Sequence, residues 1–207
     1  GPDYKKQPVV VSPKLDGAAV SLQYIQGTLS LALTRGDGKK GLDITDNIRH
    51  IVPINLLPAM GKEILQITGE VVAPATIKNS RNYAAGALSL HDSDEFKKRD
   101  LTFIAYGVQP YPSDDFMFDM KFLGGCGFKT IIDSDYTEFP QDGQVWRVIN
   151  NNAFENLGYT GHHPRGAFAH KVKQAGVVTK LLDVVWQVGK SGVVSPVAIL
   201  LPVTIGD

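Results

Sequence analysis

Apolar residues alternate with polar ones, or gather in short bursts, along most of this 207-residue chain. That rhythm predicts strands. Val9-Val10-Val11 marks a strand over 8–12. Residues 18–25 and 28–34 read as two strands joined through Gln26-Gly27, a hairpin signal. A Gly-rich turn follows from Thr34 to Gly41. Asp43 to Ile51 predicts a short helix, with Thr45 or Asp43 available to cap its start. Pro53 and Pro58 break what comes next. Glu63 to Val72 reads as a strand through Ile64, Ile67 and Val71, and the Ala- and Asn-rich stretch 75–90 as helix and turn. Leu101 to Val108 is a further strand. Asp115 to Leu123 is a helix, with Phe116, Met120 and Leu123 at helical spacing. Phe128 to Ile132 and Gln144 to Ile149 are strands. Leu182 to Val203 is strand-rich, with turns at Gly189-Lys190-Ser191-Gly192 and at Pro196. The residues alone therefore predict a strand-rich mixed domain.

Composition narrows this little. Hydrophobic residues make up 43%, enough for a core, and the length suits one ordinary domain or a domain plus a fragment. Lys+Arg and Asp+Glu number 21 each. Such balance argues against a strongly basic nucleic-acid domain and leaves a local basic face open. The one cysteine, Cys126, excludes an intrachain disulfide and a cysteine zinc site; it reads as a small buried hydrophobe. No apolar run is long enough to span a membrane, and no secretory signal is visible. Gly1-Pro2 has the form of a protease-cleavage scar, so further residues are expected upstream in the natural chain.

The candidate chemistry begins at Lys14-Leu15-Asp16-Gly17. A lysine beside an acidic residue, held on a sheet and desolvated, loses its proton more readily, and only the neutral amine is a nucleophile. Arg35 lies in the Gly-rich loop, where guanidinium and backbone suit a phosphate or sugar. Glu70 follows Gly69 on a strand. Tyr106-Gly107 ends another, where a ring can stack on a base. Arg147, Lys171 and Lys173 are late basic residues. Taken singly, Arg35 reads as a solvated turn residue, Tyr106 as half-buried core, Glu70 as a surface strand residue and Lys171 as a solvated strand charge. Together, an amine, phosphate-binding cations, a carboxylate for a ribose hydroxyl and a stacking ring suit nucleotidyl transfer.

In that order the segments resemble the NAD-dependent DNA ligases over nearly the whole chain. Lys14-Leu15-Asp16-Gly17 resembles the family's nucleotidyltransferase lysine motif. The run from Thr34 to Arg49 is similar to its TRGDGxxGEDVTxNxR block, and this is the most specific match. Thr68-Gly69-Glu70-Val71 resembles RGEV, and Asn79 to Leu88 resembles NPRNAAAGSL. Phe103 to Gly107 resembles the strand ending in Tyr-Gly. Asp142 to Val148 aligns with DGVVIKV, and Ala169 to Val172 with AFKF. Gln187 to Ala198 is similar to the QVGRTGxxTPVA segment that opens the family's OB fold.

The resemblance implies an α+β nucleotidyltransferase fold with antiparallel sheets, plus the start of an OB fold. Residues 1–175 would be the adenylation domain, 176–182 a hinge, and 183–207 the OB fragment. It implies that Lys14 attacks the α-phosphate of NAD, expelling nicotinamide mononucleotide and leaving a lysine–AMP phosphoramidate. AMP would pass to the 5′-phosphate of nicked duplex DNA before the 3′-hydroxyl seals the strand. Lys171 would neutralise the α-phosphate, and Asp16 and Asp142 would shape the lysine's surroundings. Arg35 would bind near ribose and phosphate, Glu70 would accept from a ribose hydroxyl, Tyr106 would stack on adenine, and Val145 would close the opposite face. Ser12, Leu15 and Arg147 complete the cofactor-binding set. Magnesium is expected at the phosphates, and no residue is assigned to a metal.

Departures from the family pattern fall at three positions. Ser12 stands where the family carries an adenine-contacting glutamate, Arg147 where it carries a lysine, and Ser89 where it carries an arginine. The segment between Glu70 and Asn79 is shorter than the family's. These changes favour a divergent source, a phage or virus among them, in a bacterial or infected-cell cytoplasm. A separate chain or domain is expected to supply the nicotinamide site and the rest of the OB fold, so this chain alone should seal nicks poorly. Two other readings remain: an ATP-using polynucleotide ligase-like enzyme, and a noncatalytic subunit that binds nucleotide or DNA.

Overall fold

The computed structural model describes residues 7–35, 41–56, 64–160, 163–164, 166–170, 180–188 and 194–200. In chain order its elements are β1 (Val9–Leu15), β2 (Ala18–Ile25), β3 (Thr28–Thr34), α1 (Thr45–Ile48), β4 (Ile64–Val72), α2 (Ser80–Leu88), α3 (Ser93–Lys97), β5 (Thr102–Gln109) and α4 (Phe116–Gly125). There follow β6 (Lys129–Thr130), β7 (Gln141–Val148), α5 (Asn151–Leu157), β8 (Tyr159–Thr160), β9 (His163–Pro164), β10 (Ala167–His170), β11 (Leu181–Val188) and β12 (Val194–Leu200). The chain is thus α+β. It divides into two units: Leu15–Pro112 with Met117–Gln141, and Gly1–Lys14 with Ser113–Phe116 and Asp142–Asp207.

The first of these units is built on a five-stranded sheet in the order β3-β2-β4-β5-β6. β2 and β3 fall where the alternation predicts them. Gln26 and Gly27 both lie at positive φ, as the tight primed turn of a hairpin requires. Period-two burial explains the sheet's inner face: Val20, Leu22 and Tyr24 of β2 and Ile67 and Val71 of β4 are fully buried, as is Ala105 of β5. Phe128 caps this core edge-on, its ring 6.1 Å from Tyr24 and 6.0 Å from Phe103. Cys126 is buried there too. β6 is only two residues long and pairs parallel to β5, so the sheet is not wholly antiparallel. A parallel neighbour needs a crossover, and α4 lies in the connection that makes it.

The other unit holds a three-stranded sheet in the order β1-β7-β10, the β8-β9 pair and the β11-β12 hairpin. Pro196, expected at a turn, instead lies inside β12 opposite Trp186. Among the described residues β12 pairs only with β11, and a proline without an N–H is tolerated at such an edge.

Other differences have local causes. α1 is shorter than Asp43–Ile51, and neither expected cap serves it; Ile44 is its N-cap, without a side-chain bond. Asp43 Oδ1 accepts the Thr45 N–H at 3.0 Å and its hydroxyl at 2.6 Å, while Thr45 Oγ1 accepts the Ala32 N–H at 2.9 Å. The two side chains therefore tie the helix to β3. α3 and α5 lie outside the predicted elements, yet both carry ordinary N-caps. Asp92 accepts from Asp94 N at 2.9 Å, and Asn150 from Ala153 N at 2.8 Å.

Several sequence expectations lie outside the described residues. These are Gly1-Pro2, residues 36–40 of the Gly-rich turn, Pro58, Glu63, Lys171, Lys173, most of the 176–182 hinge and the turn at 189–192. No helix among the described residues is long and apolar enough to cross a membrane.

Candidate active site

The predicted residues divide between the two units. In the unit of the three-stranded sheet, β1 and β7 are neighbours. Lys14 comes one residue before the end of β1, and Asp142 is the second residue of β7. The Lys14 Nζ donates to Asp142 Oδ2 at 3.2 Å, with both side chains about one-third exposed. The other oxygen, Asp142 Oδ1, is buried and has no hydrogen-bond partner among the described residues. A half-screened pair of this kind holds the amine in place while leaving it reachable.

Ser12 shares Lys14's face of β1 by strand parity, and both are half-buried. Val145 is half-buried on β7, opposite Ala169 of β10. Arg147 follows two residues later on the same face. Its guanidinium is drawn into the unit: one nitrogen donates to the Val148 carbonyl at 2.6 Å and another to Asn151 Oδ1 at 3.1 Å. The same group lies 4.3 Å from the Phe116 ring centroid and 3.9 Å from that of Phe154.

In the unit of the five-stranded sheet, Glu70 is the hub. It lies on the half-open face of β4, opposite Ala19 of β2 and Ile104 of β5. Its Oε1 accepts the Gly17 N–H at 3.2 Å, and its Oε2 accepts the Tyr106 hydroxyl at 3.5 Å. The close passage of the chain at Gly17 is possible only without a side chain, because a Cβ would run into the Val71 carbonyl oxygen. Tyr106 sits where the β4–β5 register shifts, between the Thr68–Gly107 and Gly69–Ala105 pairs. Such a bulge re-aims the side chain it carries, here toward Glu70.

Burial pushes the Glu70 carboxyl up to about 7, against the pull of its two hydrogen bonds; Asp16 adds to the rise and Arg81 opposes it. Burial likewise drives the Tyr106 phenol far above its ordinary value, with the Glu70 charge adding and the Arg35 guanidinium opposing. Arg35 is therefore felt at this cluster. Its N–H donates to the Ala19 carbonyl at 2.8 Å, which sets the loop's start beside the strand position facing Glu70.

Asp16 donates its N–H to Pro140 O at 2.8 Å, and its Oδ1 lies 3.6 Å from Arg81 Nε. Leu15 is buried. Arg81 is the member that motif reading leaves without a role. The signal is present, since it stands in the Asn79–Leu88 segment, but only α2 brings it to Asp16. Ser89, beyond that helix, is exposed and bonds back to Gly86 O at 3.1 Å. Lys171 lies outside the described residues. Among the described residues no group of three His, Cys, Asp or Glu side chains could hold a metal.

The described residues thus hold a strand-borne lysine bound to a carboxylate, and a glutamate–tyrosine pair that feels the charge of an arginine. Comparison with known proteins identifies the family. Residues 2–134 match the NAD-dependent DNA ligase adenylation domain, and the chain belongs to that family. It is 34% identical over 246 aligned positions to a DNA ligase of Sulfurihydrogenibium azorense, covering 95% of this chain and 35% of that protein. It is 35% identical over 241 positions to a DNA ligase of Aquifex aeolicus, covering 95% and 34%. A Francisella tularensis DNA ligase is 32% identical over 239 positions, covering 94% and 35%. The chain thus spans about a third of the length of the curated relatives it matches.

Proposed function

We propose that this chain is the adenylation core of an NAD-dependent DNA ligase, with Lys14 as its nucleophile. The observation that carries the reading is the Lys14–Asp142 pair at 3.2 Å, with Lys14 in the segment that resembles the matched family's lysine motif. The amine must shed a proton before it attacks, and Asp142 Oδ2 is a carboxylate within reach of that proton. The nitrogen–phosphorus bond then forms at the α-phosphate of NAD as the bond to nicotinamide mononucleotide breaks. Charge spreads over the phosphoryl oxygens in flight, so fixed cations lower the barrier. Arg35 and Lys171 are proposed for that work.

Glu70 is proposed to accept from a ribose hydroxyl; its carboxylate keeps acceptor capacity beyond the Gly17 and Tyr106 bonds. Tyr106 and Val145 are proposed to hold the adenine, and Asp16, Ser12 and Leu15 to shape the lysine loop. Magnesium is expected on the nucleotide's own phosphates, as this ion is commonly bound; no protein cage for it is assigned. AMP would pass from Lys14 to the 5′-phosphate of nicked duplex DNA in the cytoplasm, with further chain or a partner supplying the nicotinamide site and the rest of an OB fold begun at 183–207. Residues 1–175 are the proposed adenylation domain, joined to that fragment by a hinge at 176–182.

Intact-mass measurement after incubation with NAD tests the reading. One adenylyl group should add to the chain and be absent from Lys14→Ala. An adduct formed with ATP and not with NAD would move the chain to the ATP-using enzymes. No adduct with either nucleotide, with reversible adenosine binding kept, would make it a noncatalytic binding subunit.

A further inference from the structure

The family pattern places a lysine where this chain carries Arg147, and the guanidinium of Arg147 is already engaged inside its own unit. Its planar fork donates to a main-chain carbonyl and to the Asn151 side chain. Its central carbon lies over both the Phe116 and the Phe154 ring, 4.3 Å and 3.9 Å from their centroids. Both rings are buried, as is Asn151 at 1% exposure. Lysine could not make this arrangement, since an ammonium has neither the fork nor flat faces to stack.

Each component of the clamp is itself anchored. Asn151 donates its side-chain amide to Ser113 O at 2.9 Å and its N–H to Asp114 O at 2.8 Å. The Phe116 N–H donates to Ile149 O at 2.9 Å. Gly166 leaves the room that the Phe154 ring fills, because a Cβ there would strike the ring. Val148, next to Arg147, donates its N–H to Gly166 O at 2.9 Å. The clamp therefore joins the end of β7, the start of α5 and the 113–116 segment into one packed knot.

We propose that Arg147 is a positioning residue, not a ligand of the nucleotide's phosphate: it locks β7, and so sets Val145 and Asp142 of that strand for their work. The inference rests on the ligase reading for the work that β7 does, and on the clamp alone for the lock. Val145 lies two residues away on the same strand face, and Asp142 holds the Lys14 amine. A strand that shifts at its end moves both.

Two measurements on the full chain test it. The first is hydrogen exchange without any ligand, comparing wild type with Arg147→Lys and Phe116→Leu. Both variants should speed exchange of the β7 and α5 amides by about tenfold, since each weakens a cation–π contact and, for the lysine, charge-assisted hydrogen bonds. Unchanged exchange in both variants overturns the proposal, because a phosphate ligand stabilises nothing when phosphate is absent. The second compares affinity for adenosine and for AMP. Arg147→Lys should weaken both by the same factor. Selective loss of AMP affinity, with adenosine spared, makes Arg147 a phosphate contact and overturns it. If wild type binds neither adenosine nor AMP, the ligase reading fails and the exchange experiment alone decides the clamp.

Discussion

The N–H of Gly17 donates to Oε1 of Glu70 at 3.2 Å across 53 positions of sequence. It fastens the last residue of the lysine motif to the carboxylate at the centre of the five-stranded sheet's open face. The fit depends on the missing side chain at position 17. Gly17→Ala drives a Cβ into the Val71 carbonyl, and backbone cannot step aside as a flexible side chain would. The variant should lose about 2 kcal/mol of stability, in the usual range for overpacking. Urea unfolding followed by circular dichroism measures it; a loss within error of zero would mean the chain relaxes there freely.

Glu70 gives the protein a pH signature. Its folded value of about 7 lies above the 4.5 of an ordinary glutamate. A raised carboxyl makes the folded state the stronger proton binder between those values. The stabilisation this gives is complete below about 4.5 and is lost as pH rises through about 7. Glu70→Gln should flatten that part of the stability–pH curve. Adenosine affinity should run the other way, rising from pH 6 to pH 8 as the carboxylate ionises and becomes the better acceptor for a ribose hydroxyl. Equal slopes for wild type and Glu70→Gln in chemical unfolding across pH 5 to 8 would contradict the assignment.

The Lys14–Asp142 pair predicts a kinetic effect larger than its structural one. Both side chains are about one-third exposed, so Asp142→Asn should change stability by under about 1 kcal/mol. Yet it releases the amine from its held direction and removes the carboxylate within reach of its proton. Misplacement of a reacting group costs roughly 100-fold. Formation of the lysine–AMP adduct, timed by mass spectrometry, should slow by that order. A variant that adenylates at the wild-type rate would remove Asp142 from the mechanism.

Asn47 ties α1 to the end of α2. Its buried amide donates to Leu88 O at 3.0 Å and Leu90 O at 2.7 Å, closing the chain beyond α2 onto α1. Asn47→Ala strands both carbonyls, and leaving such groups unpaired costs about 2 kcal/mol. Thermal unfolding should register that loss, while Asn47→Asp, which lacks the two donors, should do no better.

The β2 strand was legible in the chain because its burial follows a period of two. β2 and β3 end where alternation and the Gln26-Gly27 turn end them. The short helices α3 and α5 were harder. Five and seven residues are too few to build a helical period, and only their Asp92 and Asn150 caps announce them. The cap of α1 went astray for a tertiary reason, since Asp43 and Thr45 spend their hydrogen bonds on each other and on β3.

By itself the sequence determined which residue types are present and in what order: a lysine motif, a Gly-rich loop, a Gly-Glu strand and a Tyr-Gly strand. Covalent order and residue chemistry fix those, and they suffice to place the chain in its family. Only the tertiary structure decided what each group faces. The register shift in β5 turned Tyr106 onto Glu70, helix α2 carried Arg81 to Asp16, and two rings from separate segments closed on Arg147. The surroundings of the Glu70 carboxyl come from Gly17 and Tyr106, tens of residues away, and the Arg147 guanidinium is closed in by the distant Phe116 as well as by its near neighbours Asn151 and Phe154. No local pattern encodes them, because they arise when distant strands pack.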